Sequence, residues 1–430
     1  MIKMDLSEIL SGMYDYLMNH EFKNSRLSER SFYGESFALA FLNIFKENTN
    51  LHSRLKKSFS FIDPNDPSFH AEFNVYALLQ IAEKGRADVF SNFISDTKLG
   101  NNNCTNWYLL RAYINLKREP GNQAKILDAL LKFLTKRVEP SGFIRDDSNV
   151  HSFQYHCFSC AICHEIFSLT QNQSILQIFL RGVDFIKNFI LPDGDTLYIG
   201  RGQQQLFGYA SLSYILAAAY TETNNPQYLF FLNKVIAFIK QYQLKNGCIP
   251  LVLNDLHTSG TWEKADITKE RYAGWYAYNN FFDYFCFSAF FLARSLQLLG
   301  NELPEIPEFH PNYSYSDNIF TVQKHNELIC VWSKPGGVWT NDLPYPYIYY
   351  NGHKPLPSFG GEQYEKSLYS LKGIPWPWNF KHQYSSRKYC IGKQNTQGVS
   401  ILCPYGYFKR VFTFSSDNTI TFPHNGFLFG

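Results

Sequence analysis

Through residues 1–300 two kinds of segment alternate. One kind is amphipathic: GNQAKILDALLKFLTKRV (121–138), QSILQIFLRGVDFIKNFI (173–190) and PQYLFFLNKVIAFIKQYQL (226–244). In the last, Leu229, Leu232, Val235, Ile236, Ile239 and Tyr242 keep helical spacing while Lys234 and Lys240 fall elsewhere. That pattern predicts outer helices with one wet face. The other kind is apolar, aromatic and Ala-rich nearly all round: 31–45, 69–82, 106–116, 153–167, 205–220 and 275–293. A helix with no wet face must be enclosed by others. Six such segments, each preceded by a candidate outer partner at a period of roughly 50 residues, read as a repeat.

Between outer and inner members one punctuation recurs, PSGFI (140–144), PDGDTLYI (192–199) and KNGCIPL (245–251). Each is a Gly turn followed by a short extended piece. Six hairpins of this kind predict an (α/α)6 toroid over residues 1–304. A helical solenoid is the alternative; closure is favoured because no end repeat looks like a polar cap. After about residue 305 the texture changes. A Pro-rich connector, NELPEIPEFHPNYSYSDN, leads into short β-branched and aromatic runs: IFTVQ, ELICVWS, YPYIYY, GVSILC, YFKRVFTFS and TITFP. They predict an antiparallel β-sheet or sandwich over 305–430, making the fold class α+β.

Composition narrows the function classes. The chain has 430 residues, and its 40 Lys+Arg against 37 Asp+Glu form no basic block. Neither nucleic acid nor an anionic membrane surface is therefore an expected partner. MIKMDLSEIL lacks an apolar signal-peptide core, so a cytoplasmic location is expected unless an export signal was removed. The apolar run 281–299 is interrupted by Asp283 and Arg294 and reads as a buried helix rather than a membrane span. The ending FPHNGFLFG does not look like a natural cap, and truncation is expected there. Nine Cys without regular pairing suggest reduced thiols. Cys157, Cys160 and Cys163, with His156 and His164, superficially resemble a metal motif. On a helix, however, Cys157 and Cys163 lie roughly 240° apart around the axis, so buried thiols and no metal are expected. Aromatic residues reach 17%, more Tyr and Trp than a core needs, and aromatic faces complement the C–H faces of sugars.

In a toroid the inner helices point the same way and their leading ends meet at one mouth. Those ends carry His70, Glu72 and Asn74; Asn106 and Trp107; Gln154, Tyr155 and His156; Arg201, Gln203, Gln204, Gln205 and Tyr209; and Trp275, Tyr276, Tyr278, Asn279 and Asn280. Helix N-termini add a positive bias. Amides, one arginine and aromatic walls suit an acidic saccharide. The long insertion 252–274 would overhang the same mouth, offering His257, Trp262 and Tyr272.

β-Elimination beside a uronic acid needs a neutraliser of the carboxylate, a base for the C5 proton and an acid for the leaving oxygen, with no cofactor. Asn106, Arg201 and Gln203 are the candidate neutralisers, His156 or Tyr155 the base, and Tyr209 the acid. Glu72, Asn74, Gln204, Trp107, Trp262, Trp275, Tyr278 and Asn279 are candidate substrate contacts. The segments NWYLLRA, FQYHCFS, GRGQQQLFGYA and GWYAYNNFFDY, with the overall layout, resemble toroid-plus-β-sandwich polysaccharide lyases of the heparinase II/III-like and alginate-lyase-like groups. In those lyases an Asn, a Tyr, a His and an Arg near the mouth handle proton transfer and carboxylate binding. The resemblance thus implies such roles for Asn106, Tyr155, His156, Arg201 and Tyr209. The heparinase-like β part often has a His-rich stretch with an Asp before Gly-Ser-Phe. Here YNGHKPLPSFGGEQY offers His353, a further candidate contact, and no Asp in that place.

Two other readings stay open. A glycoside hydrolase needs paired carboxyl groups, from among Glu72, Asp146, Asp147, Asp193, Asp195, Asp266 and Asp283; Glu72 could instead pair with Arg111. The third reading is a glycan-binding protein without catalysis.

Overall fold

The computed structural model describes residues 2–28, 31–63, 70–81, 90–148, 150–197, 204–253, 281–300, 303–306, 308–334, 347–353, 391–403, 406–416, 419–421 and 423–428. In chain order its α-helices are α1 (Ile2–Asn19), α2 (Gly34–Ile44), α3 (Thr49–Phe59), α4 (Ala71–Ile81), α5 (Ser91–Asp96), α6 (Thr105–Arg118), α7 (Gln123–Leu134), α8 (Phe153–Thr170), α9 (Gln173–Ile186), α10 (Leu206–Thr223), α11 (Pro226–Gln241) and α12 (Phe281–Leu298). Even-numbered helices are the apolar set. Each packs on the next, α2 on α4 and so on to α10 on α12, and α12 packs back on α2. That last contact closes the ring, so the chain is a toroid and not an open solenoid. Odd-numbered helices lie outside, and α1 packs on both α11 and α12 to complete the outer circle.

The two faces of the ring are built differently. Where the connection is described throughout, inner helices return to outer ones through short turns: Gln171 (φ +55°) ends α8 and Asn172 caps α9 by accepting the Ile175 N–H. Asn224 (φ +54°) and Asn225, followed by Pro226, repeat the device between α10 and α11. Outer helices lead to inner ones through longer connections, and these surround the mouth. In them the recurrent turn glycine touches the following outer helix. A Cβ on Gly142, Gly194 or Gly247 would lie 2.4, 2.1 or 1.9 Å from the carbonyl oxygen of Arg181, Lys234 or Gly12. The third contact reaches back to α1, so the same device closes the outer circle.

Burial follows the predicted pattern. In α10 every residue from Leu206 to Ala219 is buried, whereas α9 buries one side through Ile175, Phe179, Val183 and Ile186. Among the described residues no helix is long and apolar enough to cross a membrane. α12 is an enclosed inner helix. Its Arg294 pairs with Glu165 of α8 at 2.7 Å, and Glu165 also accepts the Tyr214 hydroxyl of α10.

The C-terminal strands are β1 (Ser314–Ser316), β2 (Phe320–His325), β3 (Leu328–Ser333), β4 (Tyr347–Tyr350), β5 (Ile391–Asn395), β6 (Gly398–Cys403), β7 (Gly406–Val411), β8 (Thr413–Phe414), β9 (Ile420–Thr421) and β10 (His424–Leu428). They form antiparallel sheets ordered β1-β2-β3-β4 and β10-β7-β6-β5, plus the β8-β9 pair. β1 falls inside the expected connector, and β5 and β10 fall outside the six expected runs. β3 is buried at all six positions because both its faces are covered. Ile329 and Val331 join the toroid core, as do Phe320, Val322, Tyr347 and Tyr349, while Leu328, Cys330 and Trp332 pack with Val399 and Phe412. Period-2 alternation thus splits one strand between two cores. The first sheet is the middle layer between helices and second sheet.

Candidate functional site

The ring closure fixes the mouth. Asp283, in the first turn of α12, accepts the backbone N–H groups of Phe32, Tyr33 and Gly34 at 3.0, 2.9 and 2.7 Å. These N–H groups lie at the start of α2, where a helix has no carbonyl of its own to offer them, and the last inner helix caps them. Burial pushes the Asp283 carboxyl up to about 7 and the nearby Glu35 charge adds to this, against the opposing pull of the three N–H donors. Asn74 of α4 completes the frame. Its amide nitrogen donates to the carbonyls of Phe32 and His70, at 2.7 and 3.0 Å, and its oxygen accepts the Ser36 hydroxyl.

Inside this frame lies a cavity of about 270 Å³, close to the lower end of the roughly 300–1,000 Å³ usual for small-molecule sites. All six inner helices supply its lining from their leading ends: Phe32 and Tyr33 before α2, His70 and Phe73 at α4, Asn102, Cys104, Asn106 and Trp107 at α6, Asp146, Tyr155 and Phe158 at α8, Phe207 at α10, and Tyr284 and Phe287 at α12. The inner helices are therefore parallel, as a common mouth requires. Phe158 and Phe287 lie one turn deeper than Tyr155 and Tyr284 and pack edge to face at 5.0 Å. Phe73 packs on Trp107 at 5.1 Å and Phe207 on Tyr284 at 5.2 Å. Polar groups gather on the α6 and α8 side, with the His70 ring tilted against Trp107 at 5.0 Å. The Asn106 side-chain oxygen accepts the Trp107 N–H at 2.8 Å, which leaves its NH2 as the group offered to a ligand. Among the described lining residues Asp146 is the one carboxylate, and there is no Lys or Arg.

Several expected residues are elsewhere. His156, the expected base, is fully buried; its Nδ1 accepts the Ile144 N–H at 2.9 Å and its Nε2 donates to the Gly182 carbonyl at 3.0 Å. Burial depresses it to about 4, and with both nitrogens engaged it serves as a neutral strut between α8 and α9. Tyr209, the expected acid, is buried with its hydroxyl 2.5 Å from Asp195 Oδ1 and 2.9 Å from the Thr196 carbonyl. Burial and the Asp195 charge hold that phenol well above its ordinary range. Gln204 sits at φ +56° with its amide nitrogen 3.3 Å from Asp195 Oδ2. Glu72 pairs with Arg111 at 3.0 Å. Asn74 is consumed by the frame described above, and His353 is exposed in the turn after β4, outside the cavity lining. His156, Tyr209, Gln204, Glu72 and Asn74 are each held by a bond partner within the protein.

Asn106, Trp107 and Tyr155 do line the cavity. Arg201, Gln203, Trp262, Trp275, Tyr278 and Asn279 lie outside the described residues, as do His257, Tyr272, Tyr276, Asn280 and Asp266. Of the carboxylates considered for hydrolysis, Asp146 lines the cavity, Asp147 pairs with Arg137 at 3.0 Å, and Asp193 accepts the Asp195 N–H within its turn. Tyr33, Asn102 and Tyr284 line the cavity too, without having been expected there. The polar run Asn101–Asn103 before α6 was the visible signal for Asn102. Burial pushes the thiol of Cys163 up to about 12, and those of Cys157 and Cys160 well up, as expected of thiols enclosed in α8.

No protein-family profile matches the chain, and no curated protein matches it. Among solved structures it is similar to a polysaccharide lyase, at 10% identity and TM-score 0.49 over 69% of this chain and 97% of that one. It is similar also to a glycosyl hydrolase family 88 protein from Bacteroides vulgatus, at 15% and 0.48 over 69% and 99%. A family 76 α-1,6-mannanase from a Salegentibacter species gives 11% and 0.49 over 68% and 99%. The ring of inner helices, closed by α12 on α2, identifies this chain by its own contacts as an (α/α)6 toroid carrying antiparallel β-sheets.

Proposed function

We propose that this chain is a glycan-cleaving enzyme whose proton transfers take place in the toroid mouth. The observation that supports it is the composition of that cavity: aromatic faces together with two amides, an imidazole, three phenols and, among the described residues, one carboxylate. A sugar ring has an apolar face for Trp107 or Tyr284 and a rim of hydroxyls for Asn102 and Asn106.

The leading reading is β-elimination at an acidic sugar. Asn106 would donate to the uronate, Tyr155 or His70 would take the C5 proton, and Tyr155 would return a proton to the departing oxygen. His70 replaces His156 in this scheme, and Tyr209 is dropped. Hydrolysis is the second reading: Asp146, a buried carboxylate on the polar side, would supply one of the two carboxyl groups that reaction uses.

Incubation with a panel of acidic and neutral polysaccharides tests the reading. Elimination produces an unsaturated sugar absorbing near 235 nm, while hydrolysis produces reducing ends without that band. The variants separate the two: Tyr155→Phe should lower elimination by about 10²-fold or more, and Asp146→Asn should do the same to hydrolysis. Turnover unchanged in both variants would exclude the cavity as the reaction site.

A further inference from the structure

Arg137 does not line the cavity, yet one guanidinium touches both loops that bring polar groups into it. Residues 100–104 carry Asn102 and Cys104 to the rim, and residues 145–148 carry Asp146. Neither loop is part of a helix or a named strand. Arg137 follows the end of α7. Its Nη2 donates to the Asn103 carbonyl at 3.1 Å and its Nη1 lies 3.0 Å from Asp147 Oδ1. Asn103 sits between two lining residues, and Asp147 is next to a third. The side chain is only 11% exposed and lies over the Phe133 ring, 5.2 Å from its centre. The fork is thus held before either loop meets it.

We infer that Arg137 is a positioning residue that staples the two polar rim loops together and so sets the separation of Asn102 and Asn106 from Asp146. The inference rests on the proposed reading of the cavity. Arg111 also supports the first loop, donating to the Asn102 carbonyl while pairing with Glu72. Thr105 ties the loops at their base, its N–H to the Asp146 carbonyl at 2.7 Å and its hydroxyl to the Arg145 carbonyl at 2.5 Å. Arg137 bridges them at the rim. A guanidinium suits this task because its donors are fixed in one plane, whereas the ammonium of Lys is a single point.

The full chain and its Arg137→Lys and Arg137→Ala variants test the staple by amide hydrogen exchange, with Lys132→Ala on α7 as control. Exchange in residues 100–106 and 145–148 should rise together, about 10-fold or more in Arg137→Ala. In Arg137→Lys at least one loop should loosen, and α11 should keep its protection in both variants. On any polymer the wild type cleaves, Arg137→Lys should lower kcat about 10-fold with KM within about 3-fold, because the groups remain but are misaligned. Unchanged exchange in either loop of Arg137→Ala overturns the staple. Loosened loops with unaltered kcat overturn its positioning role. A wild type inactive on every polymer counts against the glycan reading alone, since exchange decides the staple without a substrate.

Discussion

His156 and Tyr155 are neighbours in α8, and the structure gives them opposite tasks. One turns into the protein to bind Ile144 and Gly182; the other reaches the cavity. The depressed imidazole has a measurable consequence. A base near 4 when folded and near 6.5 when unfolded makes folding weaker as pH falls between those values, because only the unfolded chain takes up the proton. Relative to His156→Phe, the wild type should therefore gain stability by about 1.4 kcal/mol per pH unit from about pH 4 to 6.5, and no more above. Chemical denaturation across that range checks it; a difference that stays flat would show that His156 is not held neutral. Which of the two residues faces the cavity was not legible in the sequence. α8 is apolar all round, so its pattern sets the helix but carries no phase. Tyr209 posed the same problem in α10. Asn106 and Trp107 were easier, because their position at the leading end of α6 places both near the mouth whatever the rotation.

Between outer and inner helices the repeated turn is the element that sequence reading recovered most fully. PDGD holds Gly194 at φ +89° with its α-carbon against the Lys234 carbonyl of α11. Any side chain there is disfavoured twice, by the backbone angle and by the neighbour. Gly194→Ala should destabilise the chain by more than about 1 kcal/mol, with urea denaturation as the measure. A neutral result would mean that this turn does not pack closely on α11. The long helices were legible because periodicity over ten or more residues outweighs local exceptions. β1, β5 and β10 were not. SYS, IGKQN and HNGFL are short and carry few β-branched residues; they are strands because a neighbour's backbone pairs with them. Gln204, ahead of α10, likewise serves an element. It accepts the Leu253 N–H with its backbone carbonyl and gives its own N–H to Leu197, joining the segments on either side of the α10–α11 pair.

Helices and first sheet share a core, and this governs how the whole molecule responds to damage. Phe320 of β2 is fully buried against Phe143, Phe153, Phe185 and Phe189 of the toroid. Tyr347 of β4 places its hydroxyl 3.1 Å from the same Asp195 that holds Tyr209. Phe320→Ala should cost about 3–5 kcal/mol, and helical and aromatic circular dichroism should be lost in one transition. Separate transitions would indicate that the two parts fold independently. The Asp283 clasp carries a different consequence, for the order of events during synthesis. The amides of Phe32, Tyr33 and Gly34 find their acceptor about 250 residues later in the chain. As the polypeptide leaves the ribosome, α2 must wait for its Asp283 cap until α12 emerges. The nascent ring spends most of translation as an open arc whose apolar flanks a chaperone is suited to shield.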